Sequence, residues 1–415
     1  MLSTTCRNTR QLQRTPPMSN QPNRLKRISG DFVISILASV IYTFARQIVV
    51  FPLLAAQLTD ADYGTLLTVA GLANVCTAMI GGSLNNIRLI EDSRYQEQGQ
   101  LGDFNLLCLL GSGVSVVFAA VLWRMFALSP LTAVLLGAYL IVSNLYQYAT
   151  AFFRLELNFK RALCCNVAVS AAYCAAALLF ATAELWPAVF LVGEGAGLLF
   201  VWKTTPFSRE PLSRTPLFSA TAATLLTYMA TNLIGNLLTY ADRMILYPIL
   251  GGEAVSYYAT ASFFGKSAGI VMVPIAGVLL GYFAQKDFKA SKKLFALVNG
   301  CSLACLAVFL LGCRLFAPWF TRLLYPSLYE GAAPYIFLAN LAAAISIAGS
   351  MAQPMVLKAC SIRWTLLTQV LYGASYLLFV WLWLPGYGLL GFCWASIAAD
   401  TVRLLALYAI GFVKF

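Results

Sequence analysis

The sequence predicts an all-α integral membrane protein with about twelve transmembrane helices. Three observations predict it. Apolar runs of spanning length recur from residue 31 to the end, 60% of the 415 residues are hydrophobic while 11% are charged, and Lys and Arg gather in alternate connections. A helix needs about 20 mostly apolar residues to cross roughly 30 Å of hydrocarbon. A soluble domain typically carries about 25% charged residues, so a water-solvated globule of this size is excluded.

Residues 1–30 differ from the rest. They hold Arg7, Arg10, Arg14, Arg24, Lys26 and Arg27 with Pro16, Pro17 and Pro22, and no apolar stretch. A secretory signal needs an apolar stretch behind its basic start, so the segment reads as a disordered basic cytoplasmic tail. Met18 is an alternative start. Spans then follow at about 31–57, 63–83, 104–127, 131–153, 163–183, 185–203, 216–240, 255–284, 293–315, 333–357, 364–384 and 388–410. Two pairs are separated only by short proline-containing turns, at Ser129-Pro130 and at Pro385-Gly386-Tyr387-Gly388.

Charge sets the orientation. With the amino terminus inside, 21 of the 28 Lys and Arg lie on inside segments. Arg124, Arg243, Arg314 and Arg322 lie outside, and Arg46, Lys266 and Arg403 within spans. That bias is the one cytoplasmic loops show, and it puts both termini in the cytoplasm. It also explains the net charge of +12 without nucleic acid, for which no loop is long enough. Trp123, Trp186, Trp202, Trp319, Trp364, Trp381 and Trp383 fall near span ends, as an aromatic belt does.

The chain has no His, and its eleven Cys include no CxxC. Histidine proton relays and His-rich metal sites are therefore excluded, and neither a metal nor a cofactor is expected. Twelve spans divide into six and six: a first lobe at 31–203, a cytoplasmic linker at 204–216 and a second lobe at 217–415. The stretch Leu58-Thr-Asp-Ala-Asp-Tyr-Gly-Thr after the first span is echoed by Leu250-Gly-Gly-Glu-Ala-Val-Ser-Tyr-Tyr-Ala-Thr after the seventh. Both read as short acidic exterior turns leading into a helix.

These stretches carry a family resemblance. Leu53 to Ile90, with Asp62-Tyr63-Gly64 and Gly81-Gly82-Ser83-Leu84-Asn85-Asn86-Ile87-Arg88, resembles the first two spans of polysaccharide-biosynthesis membrane proteins. Tyr240-Ala-Asp242-Arg243 through Ala259, and Tyr325 to Tyr335, resemble later junctions of the same family, which sits in the multidrug/oligosaccharidyl-lipid/polysaccharide exporter superfamily. The resemblance implies two six-helix lobes around a central cavity. It implies a flippase that moves undecaprenyl-pyrophosphate-linked oligosaccharide repeat units across a bacterial inner membrane by alternating access, for O-antigen, capsule or exopolysaccharide assembly. Glycan polymerase and chain-length regulator proteins are then expected partners, beside membrane lipid.

Charges within spans are costly and usually face a cavity or a partner. Arg46 and Lys266, one from each lobe, are the expected ligands of an anionic pyrophosphate headgroup. Glu194 is the expected coupling group for a proton or Na⁺, unless a cation pairs with it. Asp400 and Arg403 are spaced for an i,i+3 ion pair, and Arg403 is near enough to a span end to snorkel. Asp242 and Arg243 are expected at the outer interface, as a local pair or in substrate contact. Asn144, Tyr146, Gln147 and Tyr148 in the fourth span are side chains suited to glycan contact. So are Asn232, Asn236 and Tyr240, which share one face of the seventh.

Three rivals remain at this level, and one of them, a lipid II flippase, is disfavoured because the chain lacks the extra spans that many of those carry. A drug or toxin antiporter of the same superfamily would favour carboxylates for cationic substrates, whereas Arg46 and Lys266 favour an anion. A membrane glycan polymerase or ligase would present a sizeable exterior loop. The longest exterior segment here, about 315–332, carries no cluster of acids, bases or nucleophiles.

Overall fold

The computed structural model describes residues 21–269, 272, 291–359 and 362–414. Residues 1–20, with Met18, and most of the predicted eighth span beyond residue 269 lie outside the described residues. Among the described residues there are helices and no strands, and eight segments are long and apolar enough to cross a bilayer. The outward faces carry large apolar side chains such as Val117, Val134, Leu178, Val308 and Trp381. Water would not tolerate so continuous an apolar surface. This is a multi-pass membrane protein.

Helix α1 is one rod assembled from Gln21–Phe44, a π-helical stretch Ala45–Val50, and Phe51–Gln57. Among the described residues it reaches ten residues further toward the amino terminus than the composition of the tail suggested. Leu58 is extended, and Thr59 caps α2 by accepting from Asp62 N at 3.1 Å. Helix α2 runs Asp60–Thr77, through a π-helical stretch Ala78–Gly82, to Ser83–Glu97. Then come α3 (Phe104–Met125), α4 (Pro130–Ala149 with Ala151–Leu155), α5 (Phe159–Phe180) and α6 (Trp186–Thr204). Ser129 caps α4 with Pro130 at its first position, and Asn158 caps α5.

The second lobe repeats the plan. Phe218–Thr239 passes through Tyr240 into Ala241–Ala261, which is broken at Gly251. The rods are therefore α7 at 218–250 and α8 from 252 to 269. This moves the end of the seventh span ten residues outward from 240. Gly251 takes φ 83°, a backbone state open chiefly to glycine, and it makes the turn between them. Helix α9 is Lys292–Leu324; α10 runs from Tyr329–Ala332 through Ala333–Tyr335 into Ile336–Ala359. Ile362–Lys414 breaks at Gly388, φ 55°, into α11 (362–387) and α12 (389–414).

The two lobes meet at the echoed turns. Helix α2 crosses α8 so closely that a Cβ on Gly64 would lie 2.8 Å from the Cα of Gly252. Tyr257 donates to Asp60 Oδ2 at 2.8 Å, Ser256 bonds to the Asp60 carbonyl, and Thr65 and Tyr247 share a hydroxyl contact at 3.1 Å. This is the sealed end of the molecule. At the other, basic end the linker 205–217 is clasped onto the first lobe. Arg88 Nη2 meets Glu210 Oε1 at 2.5 Å, Tyr148 donates to Glu210 Oε2 at 3.2 Å, and Asn105 donates to the Glu210 carbonyl at 3.0 Å. Burial pushes the Glu210 carboxyl above its ordinary range while Arg88 pulls it down. Thr215 N donates to Asp103 Oδ1 at 2.7 Å, and Tyr95 reaches both Asp103 and Thr221.

Candidate functional site

Among the described residues, each lobe holds a cavity lined in part by charged and polar side chains. That of the first lobe has about 510 Å³ and is lined by Tyr42, Gln147, Arg154, Asn166 and Glu194 among others. That of the second has about 750 Å³ and is lined by Asp242, Lys266, Tyr372, Asp400 and Arg403 among others. A small void of about 40 Å³ lies between the lobes, against the seal, with Gln47, Tyr63, Arg243, Thr260, Lys266 and Tyr325 in its wall.

Arg46 stands in the π-helical stretch of α1, the kind of helical irregularity that recurs at functional sites. Its guanidinium lies over four rings, Phe190 at 5.3 Å, Tyr42 at 5.7 Å, and Phe51 and Tyr173 at 5.8 Å. Such cation–π contacts are worth ~0.5–2 kcal/mol each. Nη1 donates to Tyr42 OH at 3.1 Å. The Tyr42 hydroxyl faces the Glu194 carboxylate at 3.5 Å, and Tyr173 donates to Glu194 Oε1 at 3.0 Å. Tyr173 reaches it because Gly193 has no side chain: a Cβ there would collide with the Tyr173 ring. Glu194 is 2% exposed and its Oε2 has no hydrogen-bond partner. The cation and the carboxylate are bridged by a tyrosine rather than ion-paired.

Lys266 is ion-paired with Asp242. That pair replaces the expected interfacial pairing of Asp242 with Arg243. Both residues lie within α7 rather than at its outer end. Arg243 Nη1 donates to the Leu67 carbonyl of α2 at 2.7 Å, and its guanidinium covers the Tyr240 ring at 5.5 Å. Asp400 and Arg403 make no ion pair, against their i,i+3 spacing. Arg403 leans to α10, donating to Gln353 at 2.8 Å, and covers the Tyr372 ring at 5.4 Å. Asp400 is 6% exposed with Oδ1 unpartnered.

Arg46 and Lys266 are not brought together in these three voids: Lys266 lines the second-lobe cavity and the small void, and Arg46 lines none of the three. Of the glycan candidates, Gln147 lines the first cavity. Tyr146 lines it too, with Asn166 at 3.4 Å from its hydroxyl. Asn144 is fully buried between Gly81 N, from which it accepts at 3.1 Å, and Ser115 at 2.6 Å. It thereby satisfies backbone freed by the second π-helical stretch. Tyr148 belongs to the linker clasp. Asn232 donates to Ser83 of α2 at 2.8 Å, Asn236 to its own helix, and Tyr240 packs near Gly71. The cavity face of α7 is instead Thr231, Ile234, Gly235, Leu238 and Thr239, because the amide-bearing face turns to α2.

Sequence reasoning missed Tyr42, Tyr173 and Arg154. The four-residue spacing of Tyr42 and Arg46 was a usable local signal. Nothing local announces that Tyr173 meets Glu194. It also missed Asn340, which accepts from Gly265 N at 2.5 Å, the second lobe's version of the Asn144–Gly81 contact at a different depth.

No protein-family model matches the sequence, nor does any curated protein. Solved structures do. A lipid II flippase, MurJ, in an inward closed conformation is similar at 14% identity and TM-score 0.65, covering 94% of this chain and 87% of that one. A multidrug resistance MATE family transporter in an inward-facing conformation is similar at 14% identity and TM-score 0.62, covering 94% and 98%. A point mutant of the Vibrio cholerae MATE transporter VcmN is similar at 15% identity and TM-score 0.63, covering 95% and 98%. The chain therefore has the two-lobed, twelve-helix fold of these MurJ and MATE transporter structures.

Proposed function

We propose that the protein is a flippase for an anionic, lipid-linked oligosaccharide, working by alternating access with its basic end in the cytoplasm of a bacterial cell. The observation that carries this reading is the balance of charge around the voids. Their walls hold four cations, Arg154, Arg243, Lys266 and Arg403, against three carboxylates, Glu194, Asp242 and Asp400, with Arg46 just behind Tyr42. Neither cavity is lined by Asp60, Gly64, Gly252 or Tyr257 of the seal, which is what loading from the opposite, cytoplasmic side requires. A pyrophosphate headgroup supplies the negative charge such walls attract. Amide and tyrosine side chains beside them suit sugar hydroxyls. Arg46 and Lys266 then bind the headgroup as the lobes rearrange, with Glu194 as coupling group.

A second reading, a small-molecule antiporter of the same superfamily, draws on one observation. Glu194, Asp242 and Asp400 each keep one buried, unpartnered carboxylate oxygen, which a cationic substrate would satisfy. The test follows radiolabelled lipid-linked repeat units by leaflet in cells lacking the protein. Loss of surface glycan with complete units trapped on the cytoplasmic face supports the flippase. Unaffected glycan supports the antiporter. Units that reach the outer face but stay unpolymerised point to an enzyme.

A further inference from the structure

We infer that Arg243 is an anion-operated latch on the seal between the lobes, released when a phosphoryl group takes its guanidinium. The clue is a cation with the wrong kind of partner. Among the described residues Arg243 makes no ion pair: the neighbouring carboxylate, Asp242, is taken by Lys266. Its guanidinium instead donates from Nη1 to the backbone carbonyl of Leu67, across the lobe boundary to α2. Its Nε is buried and unpartnered, and so is the hydroxyl of Thr260, which is 2% exposed. Both residues line the void between the lobes.

Space and access fit a small anion. The void, about 40 Å³, admits one or two oxygens of a phosphoryl group, and the rest of the anion stays in the adjoining second-lobe cavity. Lys266 stands in its wall and also in that of the second-lobe cavity, so an anion entering that cavity meets Lys266 first and Arg243 behind it. A guanidinium fork bonds two oxygens of a phosphoryl group at once, and such charge-assisted bonds are about twice as strong as one to a neutral carbonyl. The incoming anion therefore outcompetes Leu67. Helix α2 passes close to Arg243 because Gly71 has no side chain, and a Cβ there would stand 3.3 Å from the arginine. The same helix carries Gly64 into the seal. Freeing Leu67 removes a cross-lobe bond next to the seal, so binding of headgroup charge favours opening toward the far leaflet.

The identity of the anion as a substrate pyrophosphate rests on the flippase reading; the latch itself does not. The experiment places spin labels on Gln57→Cys and Glu330→Cys, which flank the seal, in the full chain in nanodiscs with native cysteines replaced. Distances are read with and without inorganic pyrophosphate, then with undecaprenyl pyrophosphate. The expected result is a longer population, by about one helical turn or ~5 Å, on adding either anion. The lipid acting at lower concentration identifies a headgroup as the source, whereas equal potency identifies the free anion. Arg243→Gln is expected to give one distance distribution that ignores both. Should that variant fail to fold, Thr260→Val must raise the half-maximal pyrophosphate concentration several-fold. Wild-type distances that ignore both anions, an Arg243→Gln protein that still responds, or an unchanged Thr260→Val midpoint overturns the latch. Flipping of lipid-linked oligosaccharide by the same preparation separates the two ideas. Flipping without a distance response sinks the latch alone, and a response without flipping sinks the flippase alone.

Discussion

Gly64 and Gly252 touch through their backbones, so that no side chain fits at either position while the lobes are closed on each other. They stand in α2 and α8, at the two turns whose sequences echo one another. The contact makes the seal depend on glycine in both halves. Gly64→Val is expected to push the lobes apart at this end, because the atoms it meets are backbone and cannot swing aside. Spin-label distances across the seal should lengthen, and transport should fall to background while expression and helicity persist. An unchanged distance in Gly64→Val would show that the seal closes elsewhere.

Arg88 and Glu210 hold the linker to the first lobe, with side chains 7% and 8% exposed. Removing one partner of so buried a pair costs on the order of 3–5 kcal/mol. Arg88→Ala should therefore release the linker locally, and trypsin should cut after Arg209 or Arg214 many times faster than in the wild-type protein. Equal digestion rates would mean that Asp103, Thr215 and Tyr95 suffice to hold it.

Lys266 neutralises Asp242, and a double-mutant cycle separates that duty from the proposed contact with the substrate. Lys266→Met strands a carboxylate. The cost lies between the ~0–1 kcal/mol of an exposed pair and the ~3–5 kcal/mol of a buried one, because the Lys266 side chain is 41% exposed. Adding Asp242→Asn should restore the melting temperature and leave transport low. Recovery of both would make the pair purely structural.

Glu194→Gln keeps an amide oxygen for Tyr42 and Tyr173 but cannot ionise. Thermal stability should be nearly unchanged, and substrate exchange at equal pH should continue. Accumulation driven by a proton or Na⁺ gradient should be lost. If gradient-driven accumulation survives the substitution, coupling resides in another group, with Asp400 next to be tested.

Much of this architecture is legible in one dimension. Apolar runs give the spans, Ser129-Pro130 marks the α3–α4 hairpin, and Gly388 ends α11 within the turn expected there. The errors cluster where a charge sits in a helix. Asp242 and Arg243 read as the outer end of the seventh span, yet α7 continues to residue 250. Lys266 neutralises the first and the Leu67 carbonyl takes the second, and both partners are distant in sequence. Asp400 and Arg403 fail in the opposite sense: local spacing suggested a partner, and Gln353 on α10 won. The intramembrane charges stand out in the sequence as residues that need a partner or a cavity. Which neighbour supplies it is set by packing between helices, which composition and periodicity do not encode.

The central claim is that these cavities carry an anionic lipid-linked oligosaccharide between leaflets. Purified protein reconstituted in liposomes with radiolabelled undecaprenyl-pyrophosphate oligosaccharide tests it directly, by the fraction of label open to an externally added glycosidase over time. The account predicts that exposure rises well above that of empty liposomes, and that Arg46→Ala and Lys266→Met reduce it. Label that stays protected to the same extent with and without the protein, in a preparation that retains its fold, would contradict the account.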